Sequence, residues 1–268
     1  MKRFFILLLC TFLYSQILSA AETEFPGRKL YIAVPYIELD AAYQRRKDVV
    51  FVDVRSAYEF QTLRIKGAIH IPLADKDFIE KMKQLRAKEA NKPIIVYCNG
   101  KTCMKSYKAA SKCRKYNIEN VISYDAGIMD WAKKYPAEAV LLGMTPINPR
   151  NLIDKARFKE HLISPDKFEE RIAKRNAVVL DVRDQFQREG LSIFVGQEQR
   201  VPLSEQKRVD KYIDQAKKEN RTLLVYDQSG KQVRWLMYHI EKKGIKSYYF
   251  MKGGAHAYFQ ELRKEFVR

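Results

Sequence analysis

Two cysteines separated by four residues offer the most reactive side chains in this sequence: Cys98 and Cys103, within Ile94-Ile95-Val96-Tyr97-Cys98-Asn99-Gly100-Lys101-Thr102-Cys103-Met104-Lys105-Ser106. A cysteine attacks as its thiolate, and a helix N-terminus or a nearby ammonium group favours that form. The order of residues suits this chemistry. Ile94 to Tyr97 reads as a buried strand, Asn99 to Thr102 as a tight loop, and the stretch beginning around Cys103 to Lys105 as a helix. If the loop curls, its successive backbone N–H groups and the helix N-terminus make an anion cradle. Lys101 and Lys105 would add positive charge, and Gly100 permits the backbone a tight loop needs. Cys98 is therefore the candidate nucleophile, and Asn99, Gly100, Lys101, Thr102 and Cys103 are the candidate anion-binding residues.

Three readings of Cys103 stand side by side. It is a resolving thiol that closes a reversible disulfide with Cys98, a loop residue contributing only its amide, or a small buried side chain at the start of the helix. A disulfide requires the two Cα atoms to lie within about 7 Å, which the sequence does not decide. Cys113 sits in an amphipathic stretch and reads as packing. His70, His161, His239 and His256 are far apart and there is no CxxC pair, so no metal site is expected, and no organic cofactor either.

The elements that must position the loop occur twice. Val49-Val50-Phe51-Val52-Asp53-Val54-Arg55 is answered by Val178-Val179-Leu180-Asp181-Val182-Arg183, and Pro93-Ile94-Ile95-Val96-Tyr97-Cys98 by Thr222-Leu223-Leu224-Val225-Tyr226-Asp227. Tyr124-Asp125-Ala126-Gly127 and Met251-Lys252-Gly253-Gly254 keep nearly the same offset. Three blocks in register imply two tandem copies of one domain, because the period is far too long for a solenoid. Within each copy, short apolar runs alternate with amphipathic stretches such as Phe78 to Ala90 and Val209 to Glu219. That pattern predicts an α/β domain with a small parallel sheet covered by helices on both faces. The expected organisation is a catalytic domain over 28–143, a Gly/Pro/Asn-rich linker over 144–156 and a second domain over 157–268. Ser164-Pro165-Asp166 reads as a helix start.

Residues 1–21 stand apart. Met1-Lys2-Arg3 is basic, Phe4 to Tyr14 is apolar but short for a membrane span, and Leu18-Ser19-Ala20-Ala21 is a run ending in small residues before Glu22. This is the pattern of a secretory signal cut after Ala20 or Ala21, the alternative being an uncleaved anchor helix. The expected location is periplasmic or secreted, with no stable membrane insertion once the signal is removed. The formal charge is +18, and loss of Lys2 and Arg3 leaves +16. Basic residues are scattered through both halves rather than gathered in a stripe, and together with export this argues against a nucleic-acid partner.

In order and spacing, several segments resemble a rhodanese (sulfurtransferase) domain: the Asp53-Val54-Arg55 strand end, Tyr58-Glu59-Phe60, Lys66-Gly67-Ala68-Ile69-His70-Ile71-Pro72, the strand-Cys98-loop-helix, and Gly127-Ile128-Met129-Asp130-Trp131. The resemblance implies two tandem modules. It implies that Cys98 carries sulfane sulfur as a persulfide held by loop amides, that the donor is a small anion such as thiosulfate or polysulfide, and that a thiol or cyanide is the acceptor. The loop departs from the common family pattern: Gly100 comes two residues after the cysteine, Cys103 five after and Ser106 eight after, and Leu63-Arg64-Ile65 replaces a Gly-His-Ile segment. The fold is shared with phosphatases whose loops end in arginine, but here the first arginine after Cys98 is Arg114. A thiol-disulfide or persulfide relay through Cys98 and Cys103 is the second functional reading. In the second copy Asp227 stands at the nucleophile's position, and a carboxylate cannot hold sulfane sulfur. That copy is expected to be inactive, either as a packing partner or as a binding module.

Overall fold

The computed structural model describes residues 25–188 and 192–266, and the expected signal segment lies outside the described residues. The chain divides into two compact units, Met1–Leu152 and Ile153–Arg268. The division falls inside the stretch expected to link the domains, but less of that stretch is free than the sequence suggested. Ile147 donates to the Pro136 carbonyl of the first unit, whereas the Ile153 amide donates to the Tyr238 hydroxyl of the second. The second unit thus begins before residue 157.

In the first unit the elements run α1 (Pro26–Leu30), β1 (Tyr36–Ile37), α2 (Leu39–Gln44), β2 (Val50–Asp53), α3 (Ala57–Thr62), β3 (Leu63–Ile65), β4 (Ile69–His70), α4 (Phe78–Lys88), β5 (Ile94–Tyr97), α5 (Lys105–Lys115), β6 (Val121–Tyr124), α6 (Gly127–Lys134) and β7 (Ala139–Leu141). Five strands form one parallel sheet in the order β1-β6-β5-β2-β4. All four residues of β5 are buried, as an apolar strand in the middle of a two-sided sheet must be. Phe78, Met82 and Leu85 recur at helical spacing on the inner side of α4 and pack with Ala109 and Cys113 of α5 against Val52, Ile94 and Val96. The other face is organised by Trp131, whose ring meets Phe51, Tyr124 and Tyr43 edge-on at centroid distances of 5.1, 5.9 and 6.1 Å. A two-stranded antiparallel ribbon, β3 with β7, was not anticipated. It uses the Leu63-Arg64-Ile65 segment noted above, and the Ile65 amide donates to the Tyr97 hydroxyl at 3.2 Å.

The second unit runs α7 (Lys155–Glu160), β8 (Leu162–Ile163), α8 (Pro165–Ala173), β9 (Ala177–Asp181), α9 (Gln185–Arg188), β10 (Glu198–Arg200), α10 (Gln206–Lys218), β11 (Thr222–Tyr226), α11 (Val233–Lys242), β12 (Tyr248–Met251) and α12 (Gly254–Phe266). Its parallel sheet has the order β10-β9-β11-β12-β8, which is the first sheet's order read from the other edge. The sequence repeat is therefore a repeat of topology. In each unit the middle strand, β5 or β11, ends where ligands of open parallel sheets bind, beyond the carboxyl edge. Cys98 follows one and Asp227 follows the other.

Candidate functional site

Cys98 is the first residue past β5 and is 1% exposed. Its carbonyl accepts from the Ile128 amide at 3.0 Å, which ties the strand end to the first turn of α6. The chain then turns back sharply: the Cys103 amide donates to the Gly100 carbonyl at 2.8 Å, one residue before Met104 and the start of α5. This turn brings the second thiol over the first. Cys98 and Cys103 form a disulfide with Cα atoms 6.3 Å apart.

The loop is held from both sides. On one, Gly127 at φ +73° lies so close that a Cβ placed there would sit 2.3 Å from the Gly100 nitrogen and 2.5 Å from its Cα. Only glycine accommodates both the left-handed backbone and the approach. On the other, the Asn99 side chain is clamped: its Oδ1 accepts from Arg55 Nη1 at 3.0 Å and its amide donates to Glu59 Oε1 at 2.7 Å. Arg55 is itself buried and paired with buried Asp53 at 2.6 Å, and it also donates to the Leu63 carbonyl. Glu59 closes a capping box at the start of α3, accepting from the Ser56 amide and hydroxyl at 3.0 and 2.8 Å.

Burial alone would raise the Glu59 pKa; the Arg55 guanidinium, then the Lys105 charge and the Asn99 and Ser56 hydrogen bonds, outweigh it and hold this carboxyl below its ordinary value. For Arg55, burial works to lower the pKa, but the charge and hydrogen bonds of Asp53 prevail and raise it. The chain from Asp53 through Arg55, Asn99 and Glu59 to Ser56 is thus joined throughout by hydrogen bonds, which suits a rigid support. Cys113 lies in the core, where burial pushes its thiol up to about 12 and leaves it unreactive.

The remaining candidates sit at the rim. Thr102 and Lys105 are exposed. Lys101 pairs with Asp130 of α6 at 3.6 Å and lies 5.2 Å from the Phe25 ring centre, so part of the charge expected to face the loop is neutralised. His70 meets the Arg55 carbonyl at 3.0 Å and His161 the Tyr248 carbonyl at 3.1 Å, both structural contacts. Arg55, Glu59 and Gly127 lay within segments that the sequence reading singled out, but their roles against the loop were not legible. All three act across at least 27 residues of chain, and no local signal reports such contacts.

The second unit repeats the geometry with a different occupant. The Ala255 amide donates to the Asp227 carbonyl at 2.9 Å, as Ile128 does to Cys98. Gly254, at φ +61°, approaches Gly230 as Gly127 approaches Gly100. The Asp227 carboxylate then fills its own loop. One oxygen accepts from the Ser229 amide at 2.9 Å and from the Gly230 amide, the other from the Gln232 and Val233 amides at 2.5 and 3.1 Å. Four backbone donors converge on one anionic group.

A family model described as a rhodanese-like domain matches residues 38–134 and again 164–261, together most of the chain. The chain belongs to the rhodanese family. Each rhodanese match covers four of the five strands of one parallel sheet, so the tandem organisation expected from the internal repeat is established. Among curated proteins, a tRNA uridine(34) hydroxylase of Cytophaga hutchinsonii is 36% identical over 91 residues, covering 34% of this chain and 28% of that protein. A putative sulfur carrier protein, YrkF, of Bacillus subtilis is 30% identical over 105 residues, 38% of this chain and 53% of that protein. The matches thus span from about a quarter to about half the length of these relatives. Among solved structures, a thiosulfate sulfurtransferase from Pseudomonas aeruginosa aligns at 17% identity and TM-score 0.39, over 85% of this chain and 42% of that one. The BH2092 protein from Bacillus halodurans aligns at 24% identity and TM-score 0.37, over 50% of this chain and 92% of that one. Rhodanese membership supports sulfur transfer as the class of chemistry. Among the described residues no helix is long and apolar enough to cross a membrane.

Proposed function

We propose that the first unit is a sulfurtransferase that carries sulfane sulfur as a persulfide on reduced Cys98. The observation that carries this reading is the placement of Cys98 past the middle strand, at the position where the second unit gathers four backbone amides around a negative charge. The same arrangement around a perthiolate would stabilise the carried sulfur without a partner histidine. In the forward step the Cys98 thiolate attacks the outer sulfur of an anionic donor such as thiosulfate or a polysulfide. With thiosulfate, the S–S bond breaks and sulfite leaves with its electron pair. The persulfide then passes its sulfur to a thiol, or to cyanide in an assay. Asn99, Gly100, Lys101, Thr102 and Cys103 supply the loop that receives the donor.

A bonded Cys98 cannot attack, so the disulfide is the resting or oxidised form, and reduction precedes turnover. The same bond favours a second reading, a thiol-disulfide or persulfide relay through Cys98 and Cys103. The second unit, with Asp227 in its loop, does no sulfur chemistry. Residues 1–21 serve as an export signal, placing the protein in the periplasm or outside the cell. Formation of thiocyanate from thiosulfate and cyanide by the reduced protein tests the leading reading. Activity is expected in wild type and absent in Cys98→Ala, and a fully active Cys98→Ala would refute it.

A further inference from the structure

The two sulfurs of the loop do not have equal access. Cys98 is buried under the turn, whereas Cys103 is only partly buried and lies beside exposed Thr102 at the rim. The turn closed by Cys103 N–H and the Gly100 carbonyl sets the outer thiol within bonding distance of the inner one. The second unit has neither sulfur: Asp227 stands at the inner position, and residues 228–232 of its loop include no cysteine. Each fact concerns the pair, not Cys98 alone.

We propose that sulfur carried on Cys98 leaves as hydrogen sulfide when Cys103 attacks the inner sulfur, making the protein a dithiol-dependent reductase of sulfane sulfur. This rests on the carrier reading of Cys98. In the step itself, the Cys103 thiolate forms a bond to Cys98 Sγ, the bond between Cys98 Sγ and the carried sulfur breaks, and that sulfur departs with the electron pair as HS⁻. The sulfane sulfur is reduced and the two cysteines are oxidised to the disulfide. An external dithiol restores the enzyme: one thiolate attacks Cys103 Sγ, the accessible end, and Cys98 leaves as the thiolate ready for the next donor. The second thiol of the reductant then resolves the mixed disulfide and releases Cys103. With thiosulfate the products are sulfite, sulfide and an oxidised dithiol. Cys113, buried with its thiol pushed up to about 12, takes no part.

The experiment is a single turnover without external thiol. Reduced, desalted wild type, Cys103→Ser and Cys98→Ser are treated with thiosulfate and, separately, with polysulfide followed by desalting. Sulfide is trapped as its bimane derivative, and each chain is weighed intact and after digestion. Wild type is expected to release about one sulfide per chain and to end two hydrogens lighter, with Cys98 joined to Cys103. Cys103→Ser is expected to keep one extra sulfur on Cys98 and to release sulfide only when dithiol is added. Cys98→Ser should do neither. If wild type and Cys103→Ser both retain the extra sulfur on Cys98 and release none, the reductase proposal is overturned while the carrier reading stands. An extra sulfur mapped to Cys103 in wild type would also overturn it, because attack would then have fallen on the outer sulfur. If neither wild type nor Cys103→Ser takes up or releases sulfur with either donor, the carrier reading falls and this proposal with it.

Discussion

Gly127 makes the sharpest mechanical test of the site. Alanine there meets two separate costs. The left-handed backbone, φ +73°, penalises a Cβ by about 1–2 kcal/mol, of which roughly half is recovered because alanine also restricts the unfolded chain. Gly67, at φ +76° with nothing within 4 Å of the added atom, carries the first cost alone. Gly67→Ala should therefore lose about 1 kcal/mol and keep full activity. At Gly127 the new Cβ would stand 2.3 Å from the Gly100 nitrogen, and reaching even the tight end of ordinary contact, 3.4 Å, needs a shift of 1.1 Å in backbone that has no rotamer to yield. Overpacking of this kind costs about 1–3 kcal/mol more. Gly127→Ala should thus lose about 2–4 kcal/mol in urea unfolding. Because the displaced atoms belong to the loop that frames Cys98, a misplacement near 1 Å should lower the thiosulfate-to-cyanide rate by about tenfold to a hundredfold. If Gly127→Ala is no less stable than Gly67→Ala and its rate stays within about twofold of wild type, the close approach does not set the loop and the reasoning fails.

Three further expectations concern the groups around the two loops. Asn99→Ala deprives Arg55 Nη1 and Glu59 Oε1 of their shared partner, so we expect a loss of about 1–3 kcal/mol by urea unfolding, together with a slower reaction at Cys98. Asn99→Gln, which keeps the amide but not its reach, should not restore the rate. Glu59 has its folded-state pKa below the ordinary 4.5, so its stabilisation is fully present above that value and is lost as pH falls through the lower folded-state pKa. The stability difference between wild type and Glu59→Gln should accordingly be constant near neutral pH and shrink in acid; a difference that grows in acid would reverse the sign. Asp227→Ala leaves four converging amides without their carboxylate, and calorimetry should find the second unit destabilised by about 2–3 kcal/mol with the sulfurtransferase rate unchanged.

Much of the frame was legible in the residues. Apolar runs such as Ile94–Tyr97 and Thr222–Tyr226 announce central strands because a strand buried on both faces must be apolar throughout. The spacing of Phe78, Met82 and Leu85 announces a helix facing that sheet. The antiparallel ribbon of Leu63–Ile65 with Ala139–Leu141 was not legible, since each segment is only three residues long, too short for any periodicity to mark a strand. The extent of the linker was misjudged for a related reason. Gly, Pro and Asn mark where helices and strands stop, but not whether the intervening chain still packs, as Ile147 and Ile153 do.

By itself the sequence determined that the chain is a tandem repeat, that one copy places a cysteine after a buried strand, and that the other places an aspartate there. These are matters of residue type and local order, which the chain carries before it folds. Tertiary structure alone decided what surrounds that position. It set Gly127 against Gly100, hung Asn99 between Arg55 and Glu59, and closed Cys98 onto Cys103. Such contacts depend on angstrom-scale distances between segments that only the packed sheet brings together. The same folding gives a carboxylate four amide partners in one unit and gives a thiol a second thiol in the other.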